Sequence, residues 1–231
     1  MTARCGPGSS ARAPADSHSR SGVGSEERAT VGEVRIELLG RFRVVVGERE
    51  VGSGDWPTRR ARELVALLAL ADGHRLARDR VIEALWPHLD ARAGAANLRK
   101  AAHHARRALG HPGAVELRGE RIELFPGPGV DVDATRFLRD AERVLRESDH
   151  EACATVAAGF GGELLPDSPY EAWAQEPRRQ VHSRLCELLR CSGQWERLLD
   201  VEPADEGACR ALMRAAVDAG RRHVAIRLYE R

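Results

Sequence analysis

Long apolar runs are missing from this 231-residue sequence. A membrane-spanning helix needs about eighteen or more consecutive apolar residues, and no such run occurs, which excludes a helical membrane span. The first thirty residues also lack the apolar block of a secretory signal, so the expectation is a cytoplasmic chain. Lysine is nearly absent: of 36 basic residues only Lys100 is lysine, the rest being arginine. Cysteine is sparse and unpatterned. Cys5, Cys153, Cys186, Cys191 and Cys209 form no CxxC pair and are odd in number, which fits a reducing compartment better than a disulfide framework. No GxxxxGK[ST] loop is present, so a P-loop nucleotide site is excluded. An excess of one charge is lacking too, since the 36 basic residues face 35 acidic ones.

Hydrophobic residues make up 42% of the chain, enough for a core, and the length suits one large or two small domains. The charge balance hides an asymmetry. Residues 56–110 hold eleven Arg and Lys against five acids, a net of +6, whereas residues 131–231 hold fifteen against nineteen, a net of −4. A basic front half followed by an acidic back half suits a nucleic-acid-binding domain joined to a partner domain, or merely helices with unequal solvated faces.

Residues 1–32 are rich in Ser, Gly, Ala, Arg and Pro and carry too few aliphatic side chains to fold, which predicts a disordered tail. From Val34 the apolar residues alternate: Val34, Ile36 and Leu38, then Phe42, Val44 and Val46, with Glu50-Val51 opening a third short strand. At Thr58 the period becomes helical. Leu64, Leu67, Leu68 and Ala71 form one stripe, closed by Gly73. Val81, Ile82, Leu85 and Trp86 form a second, ended by Pro87. The third helix runs from about Ala91–Ala95 to Leu109, with Leu98, Ala102, Ala105 and Leu109 inward and Gly110 as its stop. Gly94 weakens its first turn by about 1 kcal/mol relative to Ala. Val115 and Leu117, then Ile122 and Leu124, flank a two-residue Gly119-Glu120 turn suited to a II′ hairpin.

The Pro126-Gly127-Pro128-Gly129 run reads as a linker over 127–130, dividing a domain at 33–126 from one at 131–231. Everything after Asp131 reads as helix. Asp133 is expected to cap a helix carrying Phe137, Ala141 and Leu145, and Ser148-x-x-Glu151 and Ser168-x-x-Glu171 have capping-box spacing. Leu212, Gly220, Ala225 and Tyr229 match the packing positions of a 34-residue helix-pair repeat, within which Pro203 shortens one helix. The expected fold class is therefore an α+β winged helix-turn-helix followed by an all-α, TPR-like helical-repeat domain whose last repeat is incomplete.

The third helix carries the chemistry. Opposite its buried stripe, at 100° per residue, lie Lys100, His103, His104 and Arg107, with Asn97 toward one flank and Arg99 and Arg106 toward the other. Asn pairs with adenine, Lys and Arg pair with guanine, and flanking Arg meets phosphate, so this face suits the major groove. An arginine-rich solvated face is the competing reading. In the hairpin, Arg118 and Arg121 sit where a wing would meet the minor groove or a phosphate, or else in an ordinary solvated turn.

The stretches VRIELLG, RVIEALWP, ANLRKAAHHARRALG and VELRGERIEL resemble the OmpR-like DNA-binding domain of the SARP regulators, the antibiotic regulatory proteins of actinomycetes. DVDATRFLRDAERVL, GELLPDSPYEAWAQEPRRQVHSRLCELL and ALMRAAVDAGRRHVAIRLYER resemble the bacterial transcriptional activator domain that accompanies it, so the resemblance covers residues 33–231. It implies a sequence-specific activator in the cytoplasm, at the nucleoid. Such a protein binds promoter direct repeats in double-stranded DNA as a side-by-side homodimer and recruits RNA polymerase holoenzyme. It also implies that the loop Pro87, His88, Leu89, Asp90, Ala91 and Arg92 touches polymerase. Ala101 stands where family members often place a polar residue that reads a base or phosphate. A helical-repeat adaptor whose winged helix no longer reads DNA is the alternative.

Other constellations point to no chemistry. His103 and His104 diverge by 100° on a helix and have no third ligand at i+4, so no metal is expected. Asp131 and Asp133 read as a linker residue and a cap rather than paired carboxylates. Cys186, Cys191, Trp173 and Trp195 read as packing residues. No enzyme activity and no cofactor are expected.

Overall fold

The computed structural model describes residues 33–229 except Pro128; the tail expected over residues 1–32, with Cys5, lies outside them. Strands β1 (Val34–Glu37), β2 (Arg43–Val46) and β3 (Arg49–Val51) form an antiparallel meander in which Ile36 faces Val44, and Val44 faces Val51. Their alternation turns Val34, Ile36, Val44 and Val51 into the core.

Helix α1 (Arg59–Leu70) is capped by Thr58, whose hydroxyl accepts from the Ala61 amide, and buries Leu64, Val65 and Leu68. A single turn around Gly73 leads to β4 (Arg75–Ala77), then α2 (Arg78–Leu85) and α3 (Ala91–Leu109). Strands β5 (Val115–Arg118) and β6 (Arg121–Leu124) make the expected hairpin around Gly119, whose φ is +56°. Strand β4 was not expected. It pairs with β6 to complete a three-stranded sheet, with Leu76 opposite Ile122.

The segment after the Pro/Gly run is not helical at once. Strand β7 (Val130–Val132) adds to the first sheet, parallel to β1, with Ile36 opposite Val132. Helix α4 (Asp133–Glu147) begins directly from it. Asp133 is not the cap of that helix. Its carboxylate accepts from the Leu38 and Leu39 amides at 2.8 and 3.1 Å, satisfying backbone donors where β1 ends.

Helices α5 (His150–Ala158), α6 (Gln175–Cys191), α7 (Trp195–Val201), α8 (Glu206–Asp218) and α9 (Arg222–Tyr229) follow, each packed on its predecessor. Helix α7 is short, as Pro203 requires. Neither expected capping box forms. Ser148 takes φ +53° and ends α4, while Asp149 caps α5 by accepting from Ala152. Ser168 lies in a turn before a single 3-10 turn at Ala172–Ala174, and Glu171 points elsewhere. Tyr229, expected at a packing position, is 83% exposed.

The 159–174 segment folds back on the first sheet. The Gly40 amide donates to Glu163 and the Leu165 amide to Leu38. A Cβ on Gly40 would lie 2.2 Å from the Gly161 carbonyl oxygen, so only glycine permits this approach. Arg178 holds the segment by donating to the carbonyls of Leu164, Leu165, Ser168 and Pro169. A continuous core runs from Val34 to Ala208.

Candidate nucleic-acid interface

Helix α3 has sharp ends. The Asp90 carboxylate accepts from Ala93 at 2.8 Å, and Gly110 closes the other end at φ +68°. Gly94 has a positive role that its low helix propensity concealed. A Cβ there would lie 2.3 Å from Ile82 Cγ2, so glycine lets α3 cross α2 closely. The inner face buries Gly94, Leu98, Ala101, Ala102, Ala105, Ala108 and Leu109.

The outer face is one stripe. Arg92, Ala96, Arg99, Lys100, His103 and Arg107 are exposed and recur at helical spacing. The helix contains no Asp or Glu, so no carboxylate within it offsets these cations. Arg106 and Arg107 lie in the last turn, where the helix dipole favours positive charge.

The structure gathers Arg99, Lys100, His103 and Arg107, while Asn97, His104 and Arg106 are half-buried along the edges. Arg106 Nε donates to the Val115 carbonyl at 2.8 Å, tying α3 to β5. The His103 and His104 rings meet edge-on at 5.7 Å, and among the described residues no three metal-ligating side chains cluster. Ala101 is 3% exposed, so it packs inward and is not a gap in the outer face.

Arg118 and Arg121 stand opposite each other beside the hairpin turn, both exposed. Arg118 Nε donates to Glu116 at 2.6 Å, which raises the arginine's pKa above its ordinary value and commits the guanidinium in part to that carboxylate. The hairpin is fixed from below, because the Arg78 amide donates to the Glu120 carbonyl at 2.8 Å. Between α2 and α3, Pro87 and His88 are exposed, Leu89 is half-buried and Asp90 is the cap. Ala91 and Arg92 are exposed in the first turn of α3, so Arg92 shares the outer stripe.

Arg49 is a neighbour that the linear pattern did not single out. Its guanidinium lies against Gly110, beside a cleft of about 300 Å³ lined also by Asp55, Pro57 and Arg107. Only the β2–β3 turn's position brings Arg49 to the end of α3, and no local spacing signals it.

No family model matches the chain, and no curated protein matches it. Among solved structures the chain is similar to Mycobacterium tuberculosis EmbR in complex with low affinity phosphopeptide, with a TM-score of 0.61 and 19% identity. The match covers 86% of this chain, which spans 58% of the length of that one. The likeness is one of fold: a mixed α+β chain arranged as in EmbR. No described helix is long and apolar enough to cross a membrane.

Proposed function

We propose that residues 33–126 form a winged helix-turn-helix in which α3 enters the major groove and the β5–β6 hairpin is the wing. Residues 131–231 are then a TPR-like regulatory domain, and the whole is a sequence-specific transcriptional activator. The observation that carries this reading is the outer stripe of α3, where Arg99, Lys100, His103 and Arg107 are exposed on a helix without acids. Lys100 and Arg107 suit guanine edges, Arg99 and Arg92 suit phosphate, and Arg121 suits the backbone beside the wing. The EmbR-like fold supports the same arrangement. By the SARP resemblance, the protein works in the cytoplasm at the nucleoid, binds direct repeats as a side-by-side pair, and meets RNA polymerase through residues 87–92.

The test is selection of bound fragments from sheared genomic DNA of the source strain, using the full chain at near-physiological salt. Enrichment of a direct repeat near promoters is the expected result. If no sequence is enriched while the protein stays folded, the α3 face is a solvated surface and the helical half is an interaction adaptor.

A further inference from the structure

Cys153 lies in the middle of α5 and Cys191 is the last residue of α6, yet their Sγ atoms are 2.7 Å apart. A formed disulfide has sulfurs about 2.05 Å apart, so bond formation needs little movement. The two thiols differ in access. Cys153 is fully buried, whereas Cys191 is half-buried at a helix end. The helix ends are held together there, with the His150 ring on the Cys191 carbonyl.

We propose that Cys153 and Cys191 are a dithiol modification site, converted to an α5–α6 disulfide by exchange with a low-molecular-weight disulfide such as oxidised glutathione. The Cys191 thiolate attacks one sulfur of the reagent, forming a mixed disulfide and releasing one glutathione thiolate. Cys153 then loses its proton and attacks Cys191 Sγ, forming the protein disulfide and releasing the second glutathione. Two protein thiols are oxidised, one reagent disulfide is reduced, and the two protons go to the released thiolates. Burial, with the neighbouring Cys191 sulfur, pushes the Cys153 thiol up to about 12, so the half-exposed Cys191 attacks first and Cys153 resolves.

The bridge joins the two helices that flank the 159–174 segment. That segment holds Glu171 against Arg59 and Arg60, and Asp167 against Arg62, all on α1. The disulfide therefore fastens α5 to α6 at the end of the helix pair away from that segment, where α5 begins and α6 ends. Among the described residues Cys186 and Cys209 have no such thiol partner, and Cys186 Sγ lies 3.9 Å from the His182 ring.

The full chain is equilibrated in graded mixtures of reduced and oxidised glutathione and acid-quenched. Free thiols are then blocked in denaturant, and the remaining cysteines are reduced, labelled with a second reagent and mapped by peptide mass. Cys153 and Cys191 should pass together to the second label with a loss of two thiols per chain, and the oxidised chain should unfold at higher denaturant. In Cys153→Ala, exchange should stop with one glutathione held on Cys191; in Cys191→Ser, Cys153 should stay reduced throughout. The proposal is overturned if both cysteines stay reduced when glutathione is fully oxidised. It is equally overturned if Cys191 of the unaltered chain ends joined to glutathione, Cys186 or Cys209 instead of Cys153.

Discussion

Lys100, His103 and Arg107 follow one another along the exposed side of α3, while Arg106, adjacent to Arg107 in sequence, is committed to the Val115 carbonyl. The two kinds of arginine have separable phenotypes. Lys100→Ala or Arg107→Ala should weaken DNA binding by roughly 1–3 kcal/mol and relax one operator position if the side chain reads a base. A loss that is equal across all sequences, in binding titrations against operator variants, assigns the contact to phosphate instead. Arg106→Ala should spare sequence preference and cost stability of about 1.5–3 kcal/mol in urea unfolding, the range for a hydrogen bond to a charged group. Gly94→Ala should destabilise by about 1–3 kcal/mol through overpacking against Ile82, although alanine is the better helix former. Shortening the clashing side chain in Gly94→Ala/Ile82→Ala should recover part of that loss. Lys100, His103 and Arg107 were legible as outward residues because helical periodicity assigns the two faces, but His104, expected among them, is half-buried, and Arg99, expected at a flank, joins the exposed stripe. The fates of Ala101, Arg106 and Gly94 were not legible, since they depend on what β5 and α2 bring to the flanks.

Helix boundaries show the same division between local and tertiary information. Apolar period placed α1, α2, α3 and the hairpin, and Thr58 caps α1 in the ordinary way. The boxes expected at Ser148 and Ser168 failed because better acceptors and turns lay beside them, Asp149 in the first case and the Arg178-bound loop in the second. Strands β4 and β7 are three residues each, too short to show a period, and each exists only because a partner strand is already in place. Asp205 shows what a real cap contributes. Its carboxylate accepts from the Ala208 amide at 2.8 Å and from Arg190, and these hold it below the ordinary carboxylate value of 3.8. A depressed folded-state pKa means the stabilisation is present above the unfolded value and is lost as pH falls through the folded one. Asp205→Ala should therefore cost about 1 kcal/mol for the cap at pH 7, and the gap from the unaltered chain should close below about pH 4 in pH-dependent urea unfolding. Asp133 has the opposite sign. Burial pushes its carboxyl up, so its contribution falls as pH rises from 3.8 through its folded value, and Asp133→Asn should remove that slope.

Taken whole, the molecule has a net charge of only +1, so any affinity for DNA depends on where its cations are free. Arg59 and Arg60 are bound to the buried Glu63 and to Glu171, and Arg62 to Asp167, which removes α1 from the basic surface. Among the described residues the α3 stripe and Arg121 are cations without an ion pair that share the candidate face, and about five phosphate contacts from them predict a log–log salt slope of roughly −4 to −5. A slope near zero in salt-dependent binding would remove the DNA-binding reading. The same ion pairs, together with β7, bear on how the protein unfolds. Residues 33–126 contain three helices and two sheets, but their first sheet borrows β7 from beyond the Pro/Gly run. The Leu38 and Leu39 amides borrow Asp133, and Glu63, 1% exposed, shares its arginines with Glu171. Cutting the chain at residue 126 exposes the β1 edge and leaves those two amides without their acceptor, at a cost of about 1–3 kcal/mol for each donor that water does not reach. The full chain should therefore unfold in one urea transition, with far-UV circular dichroism and tryptophan fluorescence coinciding, and the 33–126 fragment should unfold at distinctly lower urea. Two separated transitions, the first matching the fragment's midpoint, would mean that the halves are independent and that β7 adds no stability to the first sheet.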